Sequence, residues 1–178
     1  VISLGTSYTL FAAMNQPVTD PSGFGHVFGN PCGEFMSLIC FSEGALALEK
    51  LRSELDITWD EFSDAALSSE SSPVRNLLDK QFIDMKAHSA WMGQSPETIY
   101  VTGGASQNQG ICQTIANIFN SNVQRMSTSS SAGLGASIRA AHATGNFSLN
   151  DLEKKFTAPD LESTIAPDPE AVKIYQNL

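Results

Sequence analysis

The chain has 178 residues, 42% of them hydrophobic and only 16% charged, which excludes a solvated, disordered polymer and allows one domain of ordinary size with a real core. Nineteen acidic residues against ten basic ones give a net charge of −9. With so few and such scattered cations to displace counterions, nucleic acid and anionic membrane are excluded as partners.

A phosphate can still be held by backbone N–H groups and helix N-termini, which need no basic side chain. Cys32, Cys40 and Cys112 form no CxxC pair, which points to free, buried thiols and a reducing, cytoplasmic location. His26, His88 and His142 share no metal-ligand spacing, so no metal site is expected. No apolar run reaches the length of a membrane span, and no signal peptide is read. Val1–Leu4 opens as a buried strand without a lead-in, so a fragment of a longer protein is expected.

In chain order, Val1–Leu4 and Thr9–Met14 read as strands around the turn Gly5-Thr6-Ser7. Asn15–Pro31, rich in Gly, Pro and Asp, reads as loop, and the apolar run Phe35–Phe41 as a buried strand. These three strands predict an antiparallel meander. Leu48, Leu51 and Leu55 share a face of a helix over Glu43–Leu55. Thr58 with Glu61 forms a capping-box pattern for a short helix to Ala66 or Leu67. Ser68–Ser72 is a polar break. Ser72 then caps a long helix with Pro73 in its first turn, and Val74, Leu77, Leu78, Phe82, Met85 and Met92 keep helical spacing.

Thr98–Thr102 is a β-branched strand running into Gly103-Gly104-Ala105-Ser106-Gln107-Asn108. The next helix carries Ile111, Ile115, Ile118 and Phe119 on one face. Val123–Ser127 is a short strand. Ala132–Thr144 is a helix of small residues that ends at Gly145, and its small face is expected to pack close to the sheet. The expected division is a lobe at residues 1–145 and a tail at 146–178 with a terminal helix near Pro169–Leu178. Strands and helices in this order predict an α/β fold with helices on a mixed sheet.

Three segments could hold a ligand: two glycine turns, and Ser127–Gly135, for which close packing of its small helix is the favoured reading. Gly5-Thr6-Ser7 offers close backbone approach and hydroxyls suited to phosphate oxygens, although the same residues readily make a plain polar hairpin turn. Gly103–Asn108 lies at the carboxyl end of a strand, where open α/β sheets place ligands. Asn108 could orient a purine with its donor and acceptor groups or serve only as a helix cap. Other motifs fail. Gly133-Leu134-Gly135-Ala136-Ser137-Ile138 has Ile138 where a dinucleotide fingerprint needs glycine, no P-loop exists, and Ser106 lacks the flanking glycine of a nucleophile elbow, with Asn108 in its place. Asp56, Asp60, Glu61 and Asp64 read as a solvated helical face.

Taken together, Ile2–Phe11, His26–Pro31, Phe35–Phe41, Glu43–Arg52, Val101–Asn108 and Ser131–Ala136 resemble, in order, the C-terminal lobe of the FGGY carbohydrate kinases. The Gly-Gly-Ala-Ser-x-Asn form is similar to that of their D-xylulose kinase branch. The resemblance implies a ribonuclease-H-like lobe of the actin and hexokinase superfamily, with a mixed sheet and helices on both faces. It implies transfer of the γ-phosphoryl of ATP, with Mg²⁺, to the 5-hydroxyl of D-xylulose. Gly5, Thr6 and Ser7 would contact the phosphates, Gly103, Gly104, Ala105 and Asn108 the adenosine, and Gly44 would line the cleft, although its own position at a helix start reads rather as a close-packing glycine. The family's catalytic aspartate would precede Val1, so no residue here is assigned as catalytic, and the lobe alone is expected to be inactive. The implied partner is the kinase's N-terminal lobe, which carries most of the sugar site, and a homodimer is compatible with it. Between Leu67 and Pro73 the family carries a longer segment, which this sequence lacks. A non-catalytic nucleotide-binding module of the same superfamily, or a kinase for ribulose or glycerol, remains the alternative.

Overall fold

A computed structural model describes residues 1–68 and 70–176. Seven strands form one sheet in the order β3-β4-β2-β1-β5-β6-β7. The strands are β1 (Ile2–Leu4), β2 (Tyr8–Met14), β3 (His26–Gly29), β4 (Phe35–Phe41), β5 (Thr98–Thr102), β6 (Asn122–Met126) and β7 (Pro159–Ile165). β1, β2 and β4 form the expected antiparallel meander, with β2 in the middle. β1, β5 and β6 run parallel to one another. The edges are antiparallel: β3 on β4 and β7 on β6.

Alternation along the strands sends Ile2, Leu4, Tyr8, Leu10, Ile99, Val101 and Val123 to one face. That face is covered by α1 (Gly44–Glu54), α2 (Trp59–Leu67), α3 (Pro73–Ser89) and α4 (Gln109–Phe119), with Leu48, Phe62, Phe82, Ile111 and Ile115 closing the core. Tyr8 stacks on Phe82 at 5.6 Å between ring centroids. The other face begins where Thr102, pointing opposite to Val101, shares a hydrogen bond with Ser131 at the start of α5 (Ser131–Ala143). α5 packs with α6 (Leu149–Phe156). Helices therefore lie on both faces of a mixed sheet.

The expected helix starts are present. Thr58 Oγ1 accepts from the Glu61 amide while Glu61 Oε2 accepts from the Thr58 amide, the reciprocal pair of a capping box. Ser72 caps α3 with Pro73 in the first turn. α3 stops at Ser89, however, and Met92 sits in a separate 3₁₀ turn that Gly93 ends at φ +62°.

Four expectations are corrected. The Asn15–Pro31 loop contains β3, an exposed edge strand held by backbone pairing to β4, which leaves no apolar alternation to read. The tail holds more than its terminal helix. Besides α7 (Pro169–Tyr175) it has α6, capped by Ser148, and β7, which extends the sheet; Asn177 and Leu178, the expected end of the last helix, lie outside the described residues. The small residues of α5 do not pack closely: Ala132, Gly133, Gly135, Ala136 and Ala140 are exposed, and Ile138 is the helix's buried side chain. Of the free cysteines only Cys112 is buried, because Cys32 and Cys40 lie in the outer hairpin. Within the polar break Ser68–Ser72, Ser69 also lies outside the described residues.

Candidate functional site

The site starts from strand pairing. Ile2 pairs with Val101 and Ser3 with Thr102 in parallel register, so β1 and β5 end side by side at one edge of the sheet. The turn after each strand must then open on the same space. Gly103 has φ +91°, and a Cβ there would stand 2.7 Å from the carbonyl of Leu4. Only glycine lets the chain leave β5 across the end of β1. A 3₁₀ turn, Gly104–Gln107, follows, tied by the Ser106 hydroxyl to the Gly103 carbonyl at 2.7 Å. The Gly5 carbonyl accepts from the Ala45 amide at 3.1 Å, which fixes the first turn against the start of α1.

α2 makes the facing wall. Gly110 allows it to approach, since a Cβ at this position would stand 2.7 Å from the Ser63 carbonyl and 2.8 Å from Ala66 Cβ. The Gly110 amide donates to Ser63 Oγ at 3.0 Å, and Asn108 Nδ2 donates to the Trp59 carbonyl at 3.2 Å. These contacts enclose a groove of about 1130 Å³ whose lining includes Thr6, Gly104, Asn108, Trp59, Asp64 and Arg125. That volume lies just above the usual range of small-ligand sites.

Of the residues singled out in the sequence, Gly5, Thr6, Gly104, Ala105 and Asn108 line this groove. Gly103 lies beneath it, against Leu4. Ser7 is not part of the lining. Gly44 does not line it either. A Cβ there would stand 2.4 Å from the Tyr8 ring, so this glycine serves helix-to-sheet packing, and its neighbour Ala45 reaches the groove. Asn108 does what a helix cap does: its Oδ1 accepts from the Ile111 amide at 3.0 Å.

Sequence reasoning missed the second wall. Asp60 and Asp64 are exposed, as read, and border the groove together with Trp59, Ser63 and Leu67. The available signal was Gly110, a glycine inside a helix with no turn to make. Glu49 and Arg125 also line the groove. Glu49 is held below its ordinary range by the hydrogen bond from Arg52, at 2.8 Å. Arg125 Nε donates to the Ser106 carbonyl at 2.8 Å, which places a cation beside the Gly104 turn. Behind it, burial pushes the Cys112 thiol up, so it stays protonated and inert.

The floor leaves room for a ligand. A Cβ on Gly104 would meet nothing within 4 Å, and one on Gly5 would meet only the Ser7 carbonyl at 3.6 Å. Both turns therefore present backbone to open space. Among the described residues no group of three His, Cys, Asp or Glu side chains could hold a metal ion, and no helix is long and apolar enough to cross a membrane.

Known proteins resemble this chain in sequence and in fold. Residues 65–144 match the C-terminal domain of the FGGY family of carbohydrate kinases. A xylulose kinase of Rattus norvegicus is 30% identical over 224 residues, covering 99% of this chain and 41% of the relative. One from Mus musculus is 31% identical over 99% of this chain and 40% of its own length. The chain thus spans about two-fifths of these relatives, and an alignment of 224 residues against a chain of 178 means that they carry internal residues it lacks. The fold is that of a ligand-bound xylulose kinase from Lactobacillus acidophilus, with a TM-score of 0.83 at 21% identity over 99% of this chain and 44% of that one. With the fold, the order of its motifs and these relatives in agreement, the chain belongs to the FGGY family of carbohydrate kinases.

Proposed function

We propose that this chain is the nucleotide-binding lobe of a D-xylulose kinase, which converts ATP and D-xylulose to ADP and D-xylulose 5-phosphate. One observation carries the reading: the Gly5–Thr6 turn and the Gly104–Ala105 turn, on neighbouring parallel strands, line one groove of nucleotide size. ATP, bound with Mg²⁺, would supply the γ-phosphoryl group.

Phosphoryl transfer depends on positioning and charge stabilisation, and the chain's residues are suited to that. The hydroxyl of Thr6 and the backbone of Gly5 hold the phosphates, and Ser7, which does not line the groove, is left without that role. Gly103, Gly104 and Ala105 leave room for the ribose and base. The Oδ1 of Asn108 is engaged by α4, and one hydrogen of its amide by Trp59, so its second amide hydrogen remains for the ligand. Gly44 acts indirectly, by setting α1 against Tyr8. The base that takes the proton from the sugar hydroxyl, and most of the sugar contacts, are assigned to an N-terminal lobe like that of the longer relatives. Residues 1–145 form the lobe proper, and 146–178 an appended tail that extends its sheet.

The test is calorimetric titration of the chain with ADP, paired with a phosphorylation assay on D-xylulose, ribulose, gluconate and glycerol. The chain is expected to bind ADP and phosphorylate none of these substrates, whereas the same lobe joined to its N-terminal partner phosphorylates D-xylulose. Phosphorylation by the chain alone would overturn the division of labour. Preference of the joined protein for another substrate would overturn the sugar.

A further inference from the structure

The groove has an apolar side that the glycine turns do not explain. Leu46, Trp59 and Leu67 are large hydrophobic side chains left exposed, and all three line it. Trp59 is 41% exposed, yet it is firmly oriented. Its carbonyl is tied to Asn108, the Arg52 guanidinium carbon stands 5.4 Å from its ring centroid, and Phe62 meets it at 61° with centroids 5.2 Å apart. An aromatic ring held in position inside a cavity but not covered is arranged for contact with a ligand.

Charge selects which end of a ligand lies there. The carboxylates of Glu49, Asp60 and Asp64 come from α1 and α2, the same side as Trp59. They repel a polyphosphate. The exposed backbone of the Gly5–Thr6 turn, on the floor, attracts one. A nucleotide has a flat, uncharged end and a polyanionic end, so the groove accepts it with its base toward α2.

We propose that Trp59 stacks on the nucleobase of the bound nucleotide and so sets the position of the base. This rests on the nucleotide-lobe reading and adds to it the aromatic contact that separates a nucleotide from a bare polyphosphate.

The chain has two tryptophans, Trp59 and Trp91, so intrinsic fluorescence reports on the contact. ADP is expected to quench indole emission and inorganic pyrophosphate to leave it unchanged. In Trp59→Phe the quenching disappears while ADP affinity stays within about three-fold, because a stacking face remains. Trp59→Ala weakens ADP binding about ten-fold, within the range of base–aromatic stacking, and leaves pyrophosphate binding unaltered, with an unchanged circular dichroism spectrum showing that the fold is kept. Quenching that persists in Trp59→Phe, or Trp59→Ala binding ADP like the parent, refutes the stacking alone. Failure of the parent chain to bind ADP at all removes the nucleotide-lobe reading and this contact with it.

Discussion

The two sides of the groove are built from different materials. The floor is backbone: two turns at the ends of neighbouring strands, with Gly103 and Gly104 where side chains would intrude or fill space. The wall is side chains on α2, carried there by contacts with α4. A floor of this kind is set by steric exclusion and tolerates almost no change in its geometry. A wall of this kind is set by packing between helices and can shift as a body. Shape is thus enforced at the strand ends, while chemical character is supplied from a helix.

The largest expected effect breaks the floor. Gly103→Ala places a Cβ 2.7 Å from the Leu4 carbonyl at φ +91°, so it should destabilise the chain by about 3 kcal/mol or more, lowering the thermal midpoint by roughly 10 °C. Gly104→Ala, whose Cβ meets nothing, should leave the melt within about 0.5 kcal/mol of the parent and weaken ADP binding instead. Equal melts for the two variants would mean that the floor is not sterically fixed.

A smaller effect is expected at the wall. Gly110→Ala forces α2 away from α4, because the new methyl would stand 2.7 Å from the Ser63 carbonyl. A loss of about 2 kcal/mol by urea denaturation is expected, with ADP affinity falling more than the melt alone explains. Ser63→Ala removes only the hydrogen bond to the Gly110 amide and should cost about 1 kcal/mol.

The smallest effect is on pH. Glu61 is held below its ordinary value by hydrogen bonds from the Thr58 amide and hydroxyl. A carboxyl depressed in the folded state contributes stability above its unfolded pKa, and that contribution is lost as pH falls through the lower folded value. The acid limb of a pH–stability profile should therefore flatten slightly in Glu61→Gln, with a small uniform loss of stability above the unfolded carboxyl pKa and no change of slope at alkaline pH. A change confined to the alkaline limb would contradict the capping box as its source.

Much of this was legible in the residues themselves. β4 was read with its observed bounds from its apolar run, and α3 from Ser72, Pro73 and its helical spacing, because burial imposes periodicity on what is buried. The Gly103–Asn108 turn was legible because tight geometry demands glycine. The outer strands β3 and β7 were not, since backbone pairing at a sheet edge asks little of side chains. α5 misled for the opposite reason: small residues permit close packing, but among the described residues they stay exposed. Asp60 and Asp64 are exposed as read, but composition on a short helix does not say that this helix borders a groove.

The amino-acid sequence by itself determined the strands and helices of the core, the two glycine turns and the family they point to, because local sterics and hydrophobic spacing are properties of short segments. The tertiary structure alone decided that both turns open on one groove and that α2 closes it with Trp59 and two carboxylates. Those facts depend on which strands lie side by side and how closely two helices approach, and both are settled by contacts between residues far apart in the chain.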